Sequence, residues 1–503
     1  MKREPHRLAD SQFDLAVIGA GIYGACIARD AAMRGLRVAL IDRGDFGGAT
    51  SHHSLKLIHG GIRYLQTLDL SRLLESASEQ CYWLWAAPHL VRPLPFILPT
   101  RGWGARSRYA VGLALAAYGL LSSRCSVNGV AMPAGRVLSR DACLAALPGL
   151  NDQTISGGML WHDLQMLEAD RLLLECVQQA VAFGATACNY IAAQSLQQDQ
   201  GVIRGVLCRD QLEGDTFSVR ASLTINACGP YADQLLAGSN PLTPALARCT
   251  NVVVGDLGLS RGFGLPAGDG KRLYFVAPWK DCTLIGTINH AYQEDPDSLV
   301  TDQSEVVRLI GEVNAAWPSA QLREDQVRYH YTGLLPAEGG TGVDVRLARR
   351  GRLIDHWRRD HVRGLISVIG EKYTTARSMA ERVVDLALAR LDLGRRPCRV
   401  LQTRLPGAGL SVAPECVEES AAWFRERCRQ AIKHEMVMRL DDLLLRRTDL
   451  AVRGQLSPLL LHWAADTAAT SLNWSPTRKR QELERLRRLV PSLSIGPEMG
   501  QVV

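Results

Sequence analysis

Residues 14–42, DLAVIGAGIYGACIARDAAMRGLRVALID, constrain the fold more than any other stretch of this chain. A short apolar run at 15–18 reads as a buried parallel strand. Gly19, Gly21 and Gly24 then give a G-x-G-x-x-G spacing, residues 25–34 have helical composition, and Gly35 closes the helix. Residues 38–41 read as a second strand, with Asp42 at its end. The whole is a β-α-β unit with an acidic residue placed to hold a ribose. Gly19 permits the tight turn, Gly21 lets backbone N–H groups approach a pyrophosphate, and Gly24 lets helix and strand pack closely. The helix N-terminus then faces the phosphate charge. A G-x-G-x-x-G alone is a weak signal. Two strands, a helix and Asp42 around it predict a dinucleotide-binding domain.

The next stretch, RGDFGGATSHHSLKLIHGGIRYLQ at 43–66, is rich in glycine, serine and histidine. Placed just after the second strand, it suits FAD better than NAD, because an extended flavin continues past the pyrophosphate into a pocket made by the following loop. A helix is expected at 69–85, a strand at 92–99, and a helix at 164–182 with Asp163 and Asp170 flanking its start. Strands alternate through 186–225. They end in INACGPYAD, where Gly229 would pass close to the dinucleotide. Runs at 251–254, 273–278 and 283–287 suggest a mainly antiparallel second domain interleaved with the first. An apolar strand at 365–369 leads through Gly370 to Thr375 into a helix at 376–390. Beyond about residue 400 the chain turns helical, with candidates at 417–435, 439–447 and 477–489.

The expected architecture is therefore α/β: a Rossmann-type FAD-binding domain (mainly 12–90, 150–235 and 340–400), an interleaved antiparallel-sheet substrate domain (91–149 and 236–339), and a helical C-terminal domain (401–503). The 503 residues suffice for these domains. A hydrophobic share of 47% with 22% charged residues suits a soluble globular protein. Thirteen scattered cysteines without a C-x-x-C pair read as reduced thiols, which points to the cytoplasm, and no metal-ligand spacing appears. The polar start MKREPHRLADSQF carries no secretory signal. The uncharged run YAVGLALAAYGLL at 109–121, preceded by Arg101, Arg106 and Arg108, is too short to span a bilayer. It reads either as a buried helix or as a dip into one leaflet beside anionic headgroups. The basic run RKRQELERLRRL resembles nucleic-acid-binding charge, but its interspersed glutamates make it the outer face of an amphipathic helix.

Taken together, the motifs resemble those of the FAD-dependent glycerol-3-phosphate dehydrogenases, within the D-amino-acid-oxidase-like flavoproteins. ATSHHSLKLIHGGIRYL matches the most diagnostic stretch of that family, and INACGPYAD, APWKDCTLIGTIN and GEKYTTAR follow in its order. RLDDLLLRRTDLAV and LNWSPTRKRQELERL are similar to its helical C-terminal domain. The resemblance implies hydride transfer from C2 of sn-glycerol 3-phosphate to flavin N5, reoxidation by a membrane quinone, peripheral attachment to the inner face of the cytoplasmic membrane, and a homodimer among the partners to consider. It implies that His59, Gly60 and Gly61 lie against the flavin. Arg63 would grip the substrate phosphate with its fork of donors, and Tyr64 would sit beside it. Lys372 would approach flavin and substrate hydroxyl, and Thr374 and Thr375 the pyrimidine edge. Thr50, Ser51, Lys56, Gly229 and Gly370 carry over as further cofactor contacts.

Two positions depart from the family pattern. Leu335 stands where a second phosphate-facing arginine is expected, and Asn251 where a general-base histidine is expected. Leucine cannot bind phosphate, and asparagine cannot take a proton near neutral pH. Either Arg346, Arg349 or Arg350 substitutes, with His330 or His290 as base, or the substrate is a different, less anionic alcohol or amine. A flavin-binding protein without turnover is the third alternative. His52 and His53 are further candidates, for a covalent bond to the flavin.

Overall fold

The computed structural model describes residues 1–61, 69–101, 125–150, 155–236, 241–243, 245–268, 272–409 and 421–490, with Gly112, Leu115 and Gly119. Among these residues the fold is built on two sheets. The first has eight strands. Its centre is Gln12–Ile18, fully apolar towards its end, between Thr216–Asn226 on one side and Val38–Ile41 on the other, all three parallel. Leu365–Ile369 extends the parallel order next to Thr216–Asn226. The register pairs Ile18 with both Ile41 and Asn226. The carboxyl ends of these strands therefore finish side by side, and the residues that follow them, Gly19, Asp42 and Ala227, meet at one edge. This is where open parallel sheets bind ligands. Helix Ile22–Met33 packs on this sheet between helices Ala169–Ala182 and Ala376–Arg390. Its alanines permit that close approach, and all three helices share one apolar core with the strands.

The second sheet has ten strands. Ala245–Gly255 lies antiparallel between Val327–Gly339 and Cys282–Tyr292. Gly262–Pro266 pairs in parallel with Val91–Arg101, which lies antiparallel to Ile155–Met166. Helix Gln303–Ala316, capped by Asp302 and apolar at Val306, Leu309, Ile310 and Val313, covers the back of this sheet. In Val327–Gly339 the strand period of two assigns opposite faces. Thr332 faces Thr250, which bonds Glu305 of that helix. Tyr329, Tyr331 and Gly333 face the loop of His52 and His53.

The chain changes sheet more often than the expected boundaries allow. Leu57–Ile58, Ile155–Met166 and Arg346–Leu347 all pair in the second sheet, although they fall in the spans assigned to the first domain. The expected helix at 164–182 begins only at Ala169, because Asp163 to Met166 continue a buried strand. Asp163 therefore flanks no helix. The C-terminal helices Ala421–His434, Pro458–Ser471 and Pro476–Leu489 share a core with Trp279, Tyr329 and Tyr331 of the second sheet. Glu482 of the basic helix is buried rather than solvated: it pairs with Arg478 at 2.7 Å and accepts from the Leu440 N–H. Among the described residues no helix is long and apolar enough to cross a membrane, and the 109–121 run lies outside them except for Gly112, Leu115 and Gly119.

Candidate active site

A deep cavity opens between the two sheets. Its first wall is the edge where the parallel strands end. Gly19 has φ +94°, and a Cβ there would lie 2.6 Å from the Ala227 carbonyl oxygen. A Cβ on Gly24 would fall 1.8 Å from the Gly19 oxygen, so only glycine lets the helix approach the turn. Gly24 does its work from behind the wall, whereas Gly19 and Gly21 line it. The helix begins at Ile22, whose N–H donates to the Ser51 hydroxyl at 3.0 Å. Asp42 lies at the end of the second strand and accepts from the backbone N–H groups of Ala20 (2.6 Å) and Gly44 (2.9 Å). Burial pushes its carboxyl up to about 6, against the pull of those two donors.

The opposite end of the cavity is made by two turns held against each other. Thr374 accepts the His59 N–H at 3.1 Å and donates to the His59 carbonyl at 3.3 Å. Tyr23 ties the 370–374 turn to the first helix by donating to the Lys372 carbonyl at 2.9 Å. A Cβ on Gly370 would meet the Tyr23 ring at 2.2 Å. The Lys372 Nζ donates to Ser76 Oγ at 2.9 Å and lies 3.8 Å from Glu371. Burial pushes the Glu371 carboxyl up to about 7, opposed by Lys372 and Arg72. Thr50 and Gly229 also line the cavity, and Thr50 donates to the Leu334 carbonyl at 3.0 Å.

Several expected contacts do not reach this wall. Lys56 is 1% exposed. Its ammonium donates to the His52 carbonyl at 2.6 Å, lies 3.4 Å from Asp170, and sits 4.4 Å above the Tyr331 ring. It is a buried structural cation. His52 is turned inward with it, 3.0 Å from Asp170, so only His53 of the two candidates for a covalent bond faces the cavity. Thr375 precedes helix Ala376–Arg390 and lies buried behind Thr374. Gly60 and Gly61 form the turn after His59 without lining the cavity themselves. Arg63 and Tyr64 lie outside the described residues.

Both departures from the family pattern face the cavity. Asn251 accepts from the Thr287 hydroxyl at 2.6 Å, and Leu335 packs with Ala247, Cys249 and Ala337. No substitute offered for them does so. Arg350 pairs with Asp69 at 2.9 Å on the surface, and Arg346, Arg349, His290 and His330 are absent from the lining. His330 alternates to the face opposite Tyr331. Asp163, Tyr23, Thr287 and Glu371 belong to the site or its frame without having stood out in the sequence. Only the alternation of WHDLQM could have marked Asp163 as a strand residue.

The donor set suits an extended flavin dinucleotide. A helix N-terminus and a glycine turn would face a pyrophosphate, Asp42 would accept from a ribose, and a lysine, a threonine and a histidine stand at the far end of the same cavity. The fold and this cavity define a flavin-dependent oxidoreductase, and the comparisons agree. Residues 14–386 match the family described as DAO, FAD dependent oxidoreductase, and the chain belongs to it. Its FAD would be held by the residues just described.

Within that family it groups with the glycerol-3-phosphate dehydrogenases. The enzyme of that name from Synechocystis is 33% identical over 416 residues, covering 80% of this chain and 74% of that one. The human mitochondrial glycerol-3-phosphate dehydrogenase is 28% identical over 546 positions, covering 95% and 73%. Among solved structures, the Bacillus halodurans glycerol-3-phosphate dehydrogenase complexed with FAD superposes with a TM-score of 0.73 at 23% identity, over 99% of this chain and 98% of that one, which supports the fold.

Proposed function

We propose that this chain oxidises the secondary hydroxyl at C2 of glycerol 3-phosphate to the ketone of dihydroxyacetone phosphate and passes the electrons on to a membrane quinone. The observation that carries the reading is the continuity of one cavity from Gly19 and Asp42 to His59, Lys372 and Thr374. The bound FAD supplies the acceptor for the C2 hydrogen and its electron pair. The chain's own residues bind, orient and manage the proton. Lys372 presents a cation at the far end, where it stabilises developing negative charge. Arg63 and Tyr64 are proposed to grip the phosphate. Association with the inner face of the cytoplasmic membrane would bring the quinone to the site.

Anaerobic addition of glycerol 3-phosphate to the purified holoenzyme tests the reaction. Rapid bleaching of the flavin absorbance is expected, and an unbleached spectrum overturns it. Salt and detergent washes of the membrane fraction, followed by a quinone-reduction assay, test the acceptor.

A second reading rests on Leu335 and Asn251, which make this wall apolar and neutral where an anion site is expected. It assigns the same chemistry to a less anionic alcohol or amine. Leu335→Arg separates the two. A charge-assisted bond to phosphate contributes about 1.5–3 kcal/mol, so KM for glycerol 3-phosphate should fall about tenfold or more. An unchanged KM removes Leu335 from the substrate site.

A further inference from the structure

Glu371 stands next to Lys372, and both line the far end of the cavity. The two belong to the turn between strand Leu365–Ile369 and helix Ala376–Arg390. Only 9% of the Glu371 side chain is exposed. Its carboxylate lies 3.3 Å from Arg72 Nη2, on helix Leu70–Ala86, and 3.8 Å from Lys372 Nζ. Lys372 in turn donates to Ser76 Oγ at 2.9 Å, and the buried Ser76 hydroxyl donates to the Arg72 carbonyl at 2.7 Å. One acid is thus shared by two cations in a mostly buried cluster on the cavity wall.

The other charged and titratable groups around Glu371 have partners of their own. Glu75, from the same helix as Arg72, accepts from Ser378 at 2.7 Å and lies 3.5 Å from Arg382. Arg350 pairs with Asp69 at 2.9 Å. The Tyr23 hydroxyl accepts the Glu371 N–H at 3.3 Å, and burial pushes it up to about 12, so it stays neutral. His59, which also lines this end, lies 3.2 Å from Asp163. Lys372 therefore has Glu371 as its nearest acid among the described residues. Burial raises the Glu371 carboxyl to about 7, against the pull of Lys372 and Arg72. A group balanced in this way changes charge within the neutral range.

We propose that Glu371 is a positioning residue for Lys372 and sets how much positive charge the far end of the cavity offers to bound anions and to the cofactor. This rests on the reading above in which Lys372 stabilises negative charge developing at that end. Ionised, Glu371 holds the ammonium and cancels its charge. Protonated, it leaves the ammonium to whatever negative charge the cavity receives. The sign follows from the raised carboxyl: the cation acts in full below pH 7 and is progressively cancelled above it. Negative charge arriving in the cavity, whether with an anionic substrate or with electrons on the bound cofactor, must by linkage raise Glu371 further. A proton then passes from water to the Glu371 carboxylate, and no bond to carbon is made or broken in that step.

The test is Glu371→Gln in the holoenzyme, with the flavin reduction potential titrated spectroelectrochemically from pH 6 to pH 8. The parent potential should fall more steeply with pH than that of the variant. The two should coincide at pH 6, and the variant should lie higher at pH 8. A constant offset between them, as a merely structural residue would give, or no difference at all, overturns the proposal. KM for glycerol 3-phosphate should likewise match the parent at pH 6 and be about tenfold lower in the variant at pH 8. If the glutamine variant does not hold FAD, redox-difference infrared spectra of the parent decide. At pH 8 a protonated-carboxyl band that shifts with ¹³C-glutamate labelling should grow on reduction, and its absence overturns the proposal. A holoenzyme that glycerol 3-phosphate fails to bleach sinks the substrate reading instead, and the potentials, which need no substrate, still judge Glu371.

Discussion

Replacing Asp45 by asparagine should loosen both the C-terminal helices and the cofactor. Asp45 lies in the loop that follows Asp42, and its side chain is completely buried. It accepts from Arg446 Nε at 2.7 Å, from both terminal nitrogens of Arg447 at 2.9 Å, and from the Asn189 amide at 3.1 Å. Burial would raise this acid, but Arg447 and Arg446 hold it below its ordinary value. The two arginines are unequally provided with other partners. Arg446 keeps Asp442 at 2.6 Å and Asp441 at 3.0 Å. Arg447 keeps only the Glu435 carbonyl at 3.0 Å and a Glu435 carboxylate oxygen at 3.6 Å. Asparagine retains the size and one acceptor but removes the charge, so Arg447 loses its nearest buried counter-charge and keeps only the more distant Glu435 and Asp442 among the described residues. Breaking a buried ion pair from one side costs about 3–5 kcal/mol. Thermal unfolding followed by tryptophan emission and by release of flavin fluorescence would read the effect. Both transitions should move down together, because Gly47 and Gly48 of the same loop line the cavity. An Asp45→Asn protein that releases FAD at the parental temperature would refute the view that this network holds the cofactor loop.

Other perturbations separate cofactor binding from stability. Gly24→Ala puts a Cβ 1.8 Å from the Gly19 oxygen, so the helix must withdraw and the purified protein should carry little FAD, read as the flavin-to-protein absorbance ratio. Lys56→Met should do the reverse. Asp170 loses its buried counter-charge at a cost of about 3 kcal/mol or more, which lowers the unfolding midpoint while the folded protein still binds FAD one to one. The FAD-free protein should also bind the cofactor more weakly as pH falls below 6. Ribose hydroxyls would donate to an ionised Asp42, whose carboxyl burial raises to about 6, so that it takes up a proton below that pH. Isothermal titration across pH 5–8 checks this, and Asp42→Asn should abolish the dependence.

What could be read from the chain alone follows the range of the forces involved. The Gly19–Gly24 spacing, the Asp42 position and the helix at 376–390 are readable from local pattern, and the helix appears as expected. Lys56 misled because a motif marks where a residue type is required, not what it touches. Its lysine is required by Asp170, more than a hundred residues away, rather than by the flavin. Asp163 misled for a related reason. An acid before an apolar run suits a helix start as well as a strand, and only its partners His59, Gly60 and Gln80, all far away in sequence, decide between them. The same limit hides the link between Asp45 and Arg447, separated by 402 positions. Buried charges gather partners from several segments, since no single segment can neutralise them without water. The two departures at Asn251 and Leu335 were legible as departures, yet their consequence was not. Arg346, Arg349 and Arg350 looked near enough in sequence to compensate for Leu335. They follow Val327–Gly339 beyond its end, and Arg350 is spent on Asp69 at the surface.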